Sequence, residues 1–265
     1  MVDRSLSVDV DDRGRATVTL ERPELHNAFD DALVAALTAK LEALGRDDRV
    51  RVVLLAARGK SFSAGADLGW MRRMASYSRE ENLRDAQALA RLMRTLDELP
   101  KPTVALVQGA AYGGGVGLVA CCDVALASSR ATFCLSEVKL GLIPAVISPY
   151  VVAAIGSRAM RRYALTAEAF DATEARRIGL VHEVVEEDAL WPAAERIAGA
   201  LLRNGPRAVA AAKALVARVA RAPLDDALAA DTAERIASIR ASDEGREGLT
   251  AFLEKRAPAW VKGEG

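Results

Sequence analysis

The sequence has few residues of the kinds used in nucleophilic or metal-assisted catalysis. Its 265 residues include two histidines, His26 and His182, and three cysteines, of which Cys121 and Cys122 are adjacent. The cysteines show neither metal-ligand spacing nor a disulfide framework, and no Gly-x-Ser-x-Gly motif occurs. We therefore expect no metal centre and no serine-hydrolase chemistry. The cysteine usage fits a reducing cytoplasm, and His182 is expected to be a structural strand residue.

The sequence also has no excess of charge and no basic run. Lys+Arg and Asp+Glu number 36 each, which excludes an electrostatic footprint for nucleic acid. No apolar signal-peptide segment follows Met1. Residues 103–122 carry no charge and are long enough for a membrane span. Because they include Gln108 and five glycines, we expect a buried strand, a tight turn and a buried helix instead.

Strand and helix patterns alternate along most of the chain, which predicts an α/β core. A hairpin is expected from residues 5–10 and 15–20 around a turn that ends at Gly14. Further strands are predicted at 51–56, 103–107, 124–127 and 180–185, and helices at 30–44, from Ser78 to before Pro100, from about Gly114 and from Asp171. After residue 189 only helices are expected, at 206–219, 223–240 and 243–256. We predict a core of residues 1–200 and a helical region of residues 201–265.

Two glycine-containing segments nearly match nucleotide-binding motifs. Residues 58–61 resemble the end of a P-loop, but Leu54 stands where its first glycine is required. Residues 115–120 fit a dinucleotide fingerprint, with Glu137 downstream as a possible ribose ligand. Its glycines do not follow the strand directly, however. A glycine-rich helix start that packs closely explains this segment better, and we expect no nucleotide cofactor.

Two turns could each present backbone N–H groups to an anion. Phe62-Ser-Ala-Gly-Ala-Asp67 and Gly113-Gly-Gly115 each follow a predicted buried strand and precede a predicted helix. The first N–H groups of a helix are unpaired and lie at the positive end of its dipole. Two such donors converging on one oxygen would form an oxyanion hole. Taken singly, each segment is better explained as an ordinary turn.

Together these segments resemble the crotonase (enoyl-CoA hydratase/isomerase) superfamily. The matching segments are Glu21–Ala28, Phe62–Asp67, Lys101–Ala105, Gly109–Gly115, Cys122–Ala125, Phe133–Pro144, Leu165–Thr166 and Gly179–Val181. The resemblance covers roughly residues 5–220. It implies a spiral of ββα units with a helical C-terminal trimerisation region, assembled as a homotrimer or a dimer of trimers. It also implies a coenzyme A thioester as substrate, with no metal or redox cofactor. Gly141–Tyr150 looks most similar to the branch that contains methylglutaconyl-CoA hydratases.

The resemblance also implies roles for individual residues. The N–H groups of Ala66 and Gly114 would bind the thioester oxygen, and Glu137 would exchange a proton with the substrate carbon. Residues that would contact the acyl-CoA are Asn27, Ala28, Ala64, Asp67, Leu68, Gly117, Phe252 and Lys255. Phe252 and Lys255 would do so near a subunit boundary, although Lys255 is also explained as a solvated charge on a helix face.

The sequence departs from the family pattern at Gly117, where hydratases typically carry a second glutamate. One interpretation is a hydratase in which Gly117 leaves room for a substrate with its own carboxylate, such as 3-methylglutaconyl-CoA. A second is a double-bond isomerase in which Glu137 is the sole proton shuttle. A third is a module that binds acyl-CoA without catalysis. We rank them in that order.

Overall fold

The computed structural model describes residues 5–220 and 222–261, which form two β-sheets and ten α-helices. The strands are β1 (Leu6–Val10), β2 (Arg15–Leu20), β3 (Val52–Ala57), β4 (Ser61–Ser63), β5 (Thr103–Val107), β6 (Ala110–Tyr112), β7 (Val124–Ser128), β8 (Thr132–Cys134), β9 (Phe170–Asp171) and β10 (Glu183–Val185). The helices are α1 (Asp31–Arg46), α2 (Leu68–Met74), α3 (Arg79–Asp97), α4 (Gly114–Cys121), α5 (Ser148–Thr166), α6 (Ala172–Ile178), α7 (Leu190–Leu202), α8 (Pro206–Val219), α9 (Asp226–Ala241) and α10 (Asp243–Leu253). Short 3-10 turns cover Pro23–Leu25, Glu137–Leu140 and Glu187–Ala189.

The order of the strands confirms the predicted spiral of ββα units. The larger sheet has the order β1-β2-β3-β5-β7-β10, and all its pairs are parallel except the β1–β2 hairpin. The smaller sheet has the order β4-β6-β8-β9. Each of β3, β5 and β7 therefore leads into a short strand of the second sheet, and helices follow each such pair. Each unit therefore has a junction between its short strand and the helix that follows. The predicted donors Ala66 and Gly114 lie at two of these junctions, between β4 and α2 and between β6 and α4.

Both faces of the larger sheet are buried at its centre, and the side chains of β3 alternate between the two faces. Val53 and Leu55 face the main core, whereas Val52 and Leu54 face a smaller cluster that α7 covers with Leu190 and small alanines. A parallel strand covered on both faces is apolar along its whole length. The uninterrupted apolar run at residues 52–57 reflects this double burial.

Local sequence signals fix several helix ends as predicted. The Asp30 carboxylate accepts a hydrogen bond from Leu33 N–H (2.8 Å) and begins α1. Ser78 and Glu81 form a capping box at the start of α3. These side chains satisfy N–H groups that have no partner within the helix. The predicted hairpin and the strand at 103–107 are likewise confirmed.

The structure differs from the predictions where elements are short or irregular. The individual strands of the second sheet were not predicted from the residue pattern, because they have two or three residues each and are too short to show alternation. Helix α5 was missed because Gly156 has φ 73° in its middle and breaks the helical pattern. The helix predicted at residues 223–240 begins later, at Asp226, so that Leu224 precedes it and is 96% exposed.

The region around His182 agrees with a structural role for this histidine. The ring nitrogen Nδ1 of His182 accepts a hydrogen bond from the backbone N–H of Ala125 at 3.0 Å, and the backbone N–H of His182 donates to Ala125 O at 2.8 Å. These two bonds begin the pairing of β10 with β7, although the strand itself starts at Glu183, later than predicted.

The uncharged residues 103–122 form β5, β6 and α4 inside the protein. Across residues 5–220 and 222–261, no helix has both the length and the hydrophobicity of a membrane span. The same residues contain no group of three or more His, Cys, Asp or Glu side chains arranged to hold a metal ion. Cys121, Cys122 and Cys134 are buried and free.

Candidate active site

A cavity of about 690 Å³ opens where the two predicted donor turns meet. Its walls come from the turn after β4, the N-terminus of α4, helices α2 and α3, and the segment that runs from Ser136 to Ile147. Most of the lining is apolar, with Phe29, Trp70, Met71, Leu89 and Ile147 among the larger side chains. The cavity is large enough for the acyl part of a small-molecule ligand.

The turn at the start of α4 requires glycine because of its backbone angle and its neighbours. Gly113 has φ 50°, and a Cβ there would lie 3.2 Å from Glu137 Oε1 and 3.9 Å from the Cα of Gly65. A Cβ on Gly114 would lie 2.9 Å from the Phe29 ring. Only glycine lets the two turns and the Glu137 carboxyl approach this closely.

The N–H of Gly114 lies in the first turn of α4 and donates to no group in the described part of the chain. The N–H of Ala66 is left unpaired for a different reason. Phe29 forms an isolated parallel bridge with Ala66, in which Phe29 N–H donates to Gly65 O and Phe29 O accepts from Asp67 N–H, both at 2.7 Å. In a parallel pair these bonds go to the residues on either side of Ala66, so its own N–H points away from Phe29.

The two unpaired donors therefore belong to different turns but face one cavity. Ala66 and Gly114 both line it, as do Gly65 and Gly113. The positive end of the α4 dipole adds to the attraction for an anion at this place. The arrangement can hold one oxygen on which negative charge develops.

Glu137 supplies the acid beside these donors. Its carboxyl lies against Gly113, and Glu137 Oε2 is buried with no hydrogen-bond partner among the described residues. Burial raises the pKa of this carboxyl above its ordinary value, and a hydrogen bond from the backbone N–H of Glu137 itself opposes part of that rise. A buried carboxyl with a raised pKa, beside two N–H donors, is a candidate for general acid–base catalysis.

A second acid, Asp85 of α3, lines the same cavity and was not predicted. Trp70 Nε1 donates to Asp85 Oδ1 at 3.1 Å. Burial raises the pKa of Asp85, the Trp70 hydrogen bond opposes the rise, and Asp31 adds to it. No sequence signal distinguishes Asp85 from the charged residues around it in α3. The charged side chains that line the cavity in the described chain are thus both acidic.

The space expected at Gly117 is filled, and that prediction is wrong. Gly117 is buried within α4 and does not line the cavity. A Cβ at this position would overlap Ile147 Cγ2 and would lie 3.0 Å from Ile147 Cβ and 3.2 Å from the Met93 methyl group. Ile147 is 2% exposed and forms part of the cavity wall. An isoleucine side chain thus occupies the volume that we had assigned to a substrate carboxylate.

Asn27 has a structural role that the sequence did not indicate. Its side chain is fully buried, accepts from Arg22 N–H at 2.9 Å, and donates to Arg58 O and Ser61 O at 2.8 Å each. These bonds use its amide group within the protein. The Asn27 side chain is therefore part of the internal hydrogen bonding of the loop, and Ala28 beside it is buried; their contact with the acyl-CoA stays a prediction.

The other predicted entrance residues occupy different positions. Ala64 lines the cavity. Asp67 caps α2 through hydrogen bonds from the N–H groups of Gly69 (2.8 Å) and Trp70 (3.0 Å). Leu68 is the first residue of α2 and is 67% exposed, so its side chain is accessible at the surface.

Phe252 and Lys255 do not join the site within one chain. Phe252 lies in α10 and is 81% exposed, and Lys255 follows the end of that helix. Helix α10 packs on α8 and α9, and neither residue lines the cavity that contains Glu137.

Comparison with known proteins identifies the family of this chain. The sequence profile of the family described as "Enoyl-CoA hydratase/isomerase" matches residues 12–263. The chain belongs to this family. As a member of the enoyl-CoA hydratase/isomerase family, it is an enzyme that processes acyl-CoA.

Individual relatives of this family member are similar along nearly their whole length. A solved enoyl-CoA hydratase from Shewanella pealeana is 51% identical, with a TM-score of 0.94 over 97% of this chain and 96% of that one. The crotonyl-CoA hydratase of Syntrophomonas wolfei is 33% identical over 93% of this chain and 94% of its own length. The 2,3-dehydroadipyl-CoA hydratase of Escherichia coli is 32% identical over 91% and 92%.

Proposed function

We propose that the chain is a hydratase that adds water across the 2,3 double bond of a 2-enoyl-CoA. The supporting observation is the position of the Glu137 carboxyl, which lies against Gly113 in the same cavity that Ala66 and Gly114 line. An acid and two donors on one cavity are what enolate formation from a thioester requires. These proton transfers involve no change of oxidation state in a cofactor, and we propose none.

In this proposal the two N–H groups bind the thioester oxygen. Water adds to C3, and the electron pair of the double bond moves toward the thioester, so that negative charge develops on that oxygen. Fixed donors stabilise this charge without having to reorganise, and one donor of this kind contributes a factor of about 10² to 10³ in kcat. Ala66 and Gly114 would each make such a contribution.

Glu137 would act first as base and then as acid. Its carboxylate accepts a proton from the attacking water, whose oxygen forms the bond to C3. The same carboxyl then delivers a proton to C2 of the enolate, which regenerates the carboxylate. One acid is therefore sufficient for the proton balance, which requires no glutamate at residue 117.

A second candidate, a double-bond isomerase, is favoured by Ile147. An apolar side chain fills the space beside Gly117, where a second acid would have helped to hold a water molecule. In that case Glu137 would remove a proton from C2 and return it to C4. The overall change would be a shift of the double bond from C3 to C2.

Two kinds of acyl group are candidates for the substrate. An uncharged 2-enoyl group fits the apolar lining and the two acids of the cavity, Glu137 and Asp85. A carboxylated group such as 3-methylglutaconyl is supported by the resemblance of residues 141–150, part of which lines the cavity. The filled space at Gly117 removes the other argument for it. The named relatives include hydratases of both kinds of substrate, so they do not decide between them.

The decisive experiment follows the enoyl-thioester absorbance with crotonyl-CoA, a 3-enoyl-CoA and 3-methylglutaconyl-CoA. Saturable loss of conjugation with a 2-enoyl ester is the expected result. Gain of conjugation from the 3-enoyl ester alone would establish the isomerase. Binding of all three esters without turnover, unchanged in Glu137→Gln, would establish a binding module and refute both enzymatic proposals.

We also propose that the chain assembles as a homotrimer or a dimer of trimers. The support is an apolar surface on α8–α10, where Val216, Leu249, Phe252 and Leu253 are all more than half exposed. In such an assembly Phe252 and Lys255 could approach the acyl-CoA of a neighbouring copy. Light scattering coupled to size-exclusion chromatography should give three or six times the 28.2 kDa chain mass, whereas a monomer would contradict the proposal.

A further inference from the structure

Arg22 connects the two chain segments from which the cavity's first donor is built. Its Nη1 donates to Ala28 O at 3.2 Å and to Asp30 Oδ2 at 2.7 Å, and its Nη2 lies 3.8 Å from Asp67 Oδ2. The side chains of Arg22, Asp30 and Asp67 are 15%, 21% and 18% exposed, so the cluster is largely shielded from water. A planar guanidinium can bridge several acceptors at once, which a lysine ammonium cannot do in the same geometry.

These segments are the ones that pair around Ala66. Arg22 contacts the residues on both sides of Phe29, and it also faces Asp67, the residue after Ala66. The bridge between Phe29 and Ala66 consists of two backbone hydrogen bonds and lies outside the named strands, and one further backbone bond, from Ala64 N–H to His26 O at 3.0 Å, joins the same segments. The direction of Ala66 N–H therefore depends on contacts outside the bridge.

The loop that carries Phe29 also has an unfavourable backbone conformation. His26 and Asn27 have φ values of 52° and 53°, in the left-handed region that side chains other than glycine rarely adopt. Such residues persist when the surrounding structure over-determines them, and they cluster at functional sites. Asn27 is held by its three side-chain hydrogen bonds, and the next part of the loop is held by Arg22.

We propose that Arg22 is a positioning residue that sets the direction of the Ala66 N–H toward the thioester oxygen. This inference rests on the proposed function of the same cavity. Arg22 does not line the cavity, so any effect on the reaction is indirect. It acts through Asp67 and Phe29, and without it Asp30 and Asp67 would face each other as partly buried acids with no cation between them.

The kinetic test compares Arg22→Lys and Arg22→Ala with Arg58→Ala. Arg58 is a matched control because it belongs to the same region, pairs with Glu21 and is 68% exposed. A displaced donor weakens an interaction that is strongest in the transition state, so kcat should fall about 10- to 100-fold while KM stays within about threefold. Arg22→Lys should lie between Arg22→Ala and the wild type, and Arg58→Ala should match the wild type.

A spectroscopic test separates positioning from stability. In a Glu137→Gln background, a bound conjugated dienoyl-CoA should absorb at longer wavelength than the free ester, because donors on the thioester oxygen polarise the chromophore. Adding Arg22→Lys or Arg22→Ala should reduce this shift. An unchanged shift and an unchanged kcat, with only a lower melting temperature, would overturn the inference; Arg22→Lys decides the matter if Arg22→Ala does not fold.

The same experiment distinguishes the inference from the proposed function. If no ester of the panel is turned over by the wild type but the dienoyl-CoA shift still depends on Arg22, the hydratase proposal fails and the positioning role stands. If turnover is normal and neither kcat nor the shift depends on Arg22, the positioning role fails and the hydratase proposal stands.

Discussion

Replacing Gly117 by alanine tests the packing that closes the wall of the cavity. In an exposed helix the change from glycine to alanine stabilises a protein by up to about 1 kcal/mol. At Gly117 the new Cβ would overlap Ile147 Cγ2 and would crowd the Met93 methyl group, both of which are buried. Overpacking of this kind costs about 1–3 kcal/mol. The overlap should outweigh the helix preference, and we expect a net loss of about 1–2 kcal/mol.

Urea unfolding of Gly117→Ala measures this loss, and Gly199→Ala is the matched control. Gly199 lies in α7, where an added Cβ would meet only Arg203 Nη1 at 3.7 Å, an ordinary contact distance. We expect Gly199→Ala to be as stable as the wild type or slightly more stable. Both variants change a glycine within a helix to alanine, but only Gly117→Ala brings the new Cβ into overlap with Ile147.

A double-mutant cycle with Ile147→Ala identifies the cause. Ile147→Ala alone should cost about 2–5 kcal/mol, because it removes a buried side chain. The double variant should lose less free energy of unfolding than the sum of the two single losses, and the difference should be at least about 0.5 kcal/mol. The space beside Gly117 is not filled as described if Gly117→Ala is as stable as Gly199→Ala. The same conclusion follows if the losses in free energy of unfolding from the changes at residues 117 and 147 are additive.

Three further predictions concern charges and hydrogen bonds. Burial raises the pKa of Glu137 above 4.5, so kcat/KM should rise with pH through that raised value as the carboxylate forms, and Glu137→Gln should abolish turnover with little change in ester binding. Burial favours the neutral carboxyl, so the contribution of Glu137 to the free energy of unfolding is complete below pH 4.5 and is lost as pH rises through the raised pKa. Urea titrations should therefore show Glu137→Gln gaining stability relative to the wild type over that pH range. A stability difference that does not change with pH would contradict this. Asp85→Asn removes one of two acids from the cavity and should raise the ratio of kcat/KM for 3-methylglutaconyl-CoA to kcat/KM for crotonyl-CoA several-fold, because it removes repulsion of the substrate carboxylate. An unchanged ratio would show that Asp85 does not interact with the acyl group. Asn27→Ala leaves buried backbone groups of Arg22, Arg58 and Ser61 without a partner and should cost about 2–4 kcal/mol in urea unfolding, whereas a loss under 1 kcal/mol would show that the loop is held elsewhere.

Much of the fold could be predicted because its signals are local. The capping residues Asp30 and Ser78 mark the starts of α1 and α3, since each satisfies N–H groups within three residues of itself. The uncharged stretch of residues 103–122 indicated a buried strand, a turn and a helix. The individual strands of the second sheet and α5 were missed in the residue pattern, because strands of three residues and a helix broken at Gly156 carry too little periodic pattern.

The site shows the same division between local and distant information. The glycine turns and Glu137 could be selected from the sequence, and the structure places Ala66, Gly114 and Glu137 on one cavity, where their roles remain proposals. The filling of the space at Gly117 could not be foreseen. Ile147 lies thirty residues further along the chain, and only the packing of α4 against the start of α5 brings the two together.

The sequence by itself determined which backbone segments turn, which are buried and which acid is available, because those properties depend on neighbouring residues and their hydrogen bonds. The tertiary structure decided that Asn27 holds a loop, that Asp85 joins the cavity, and that the Ala66 N–H stays free because Phe29 pairs with the residues on either side of it. These outcomes depend on contacts between segments that lie far apart in the chain, and such contacts are fixed only when the whole core packs.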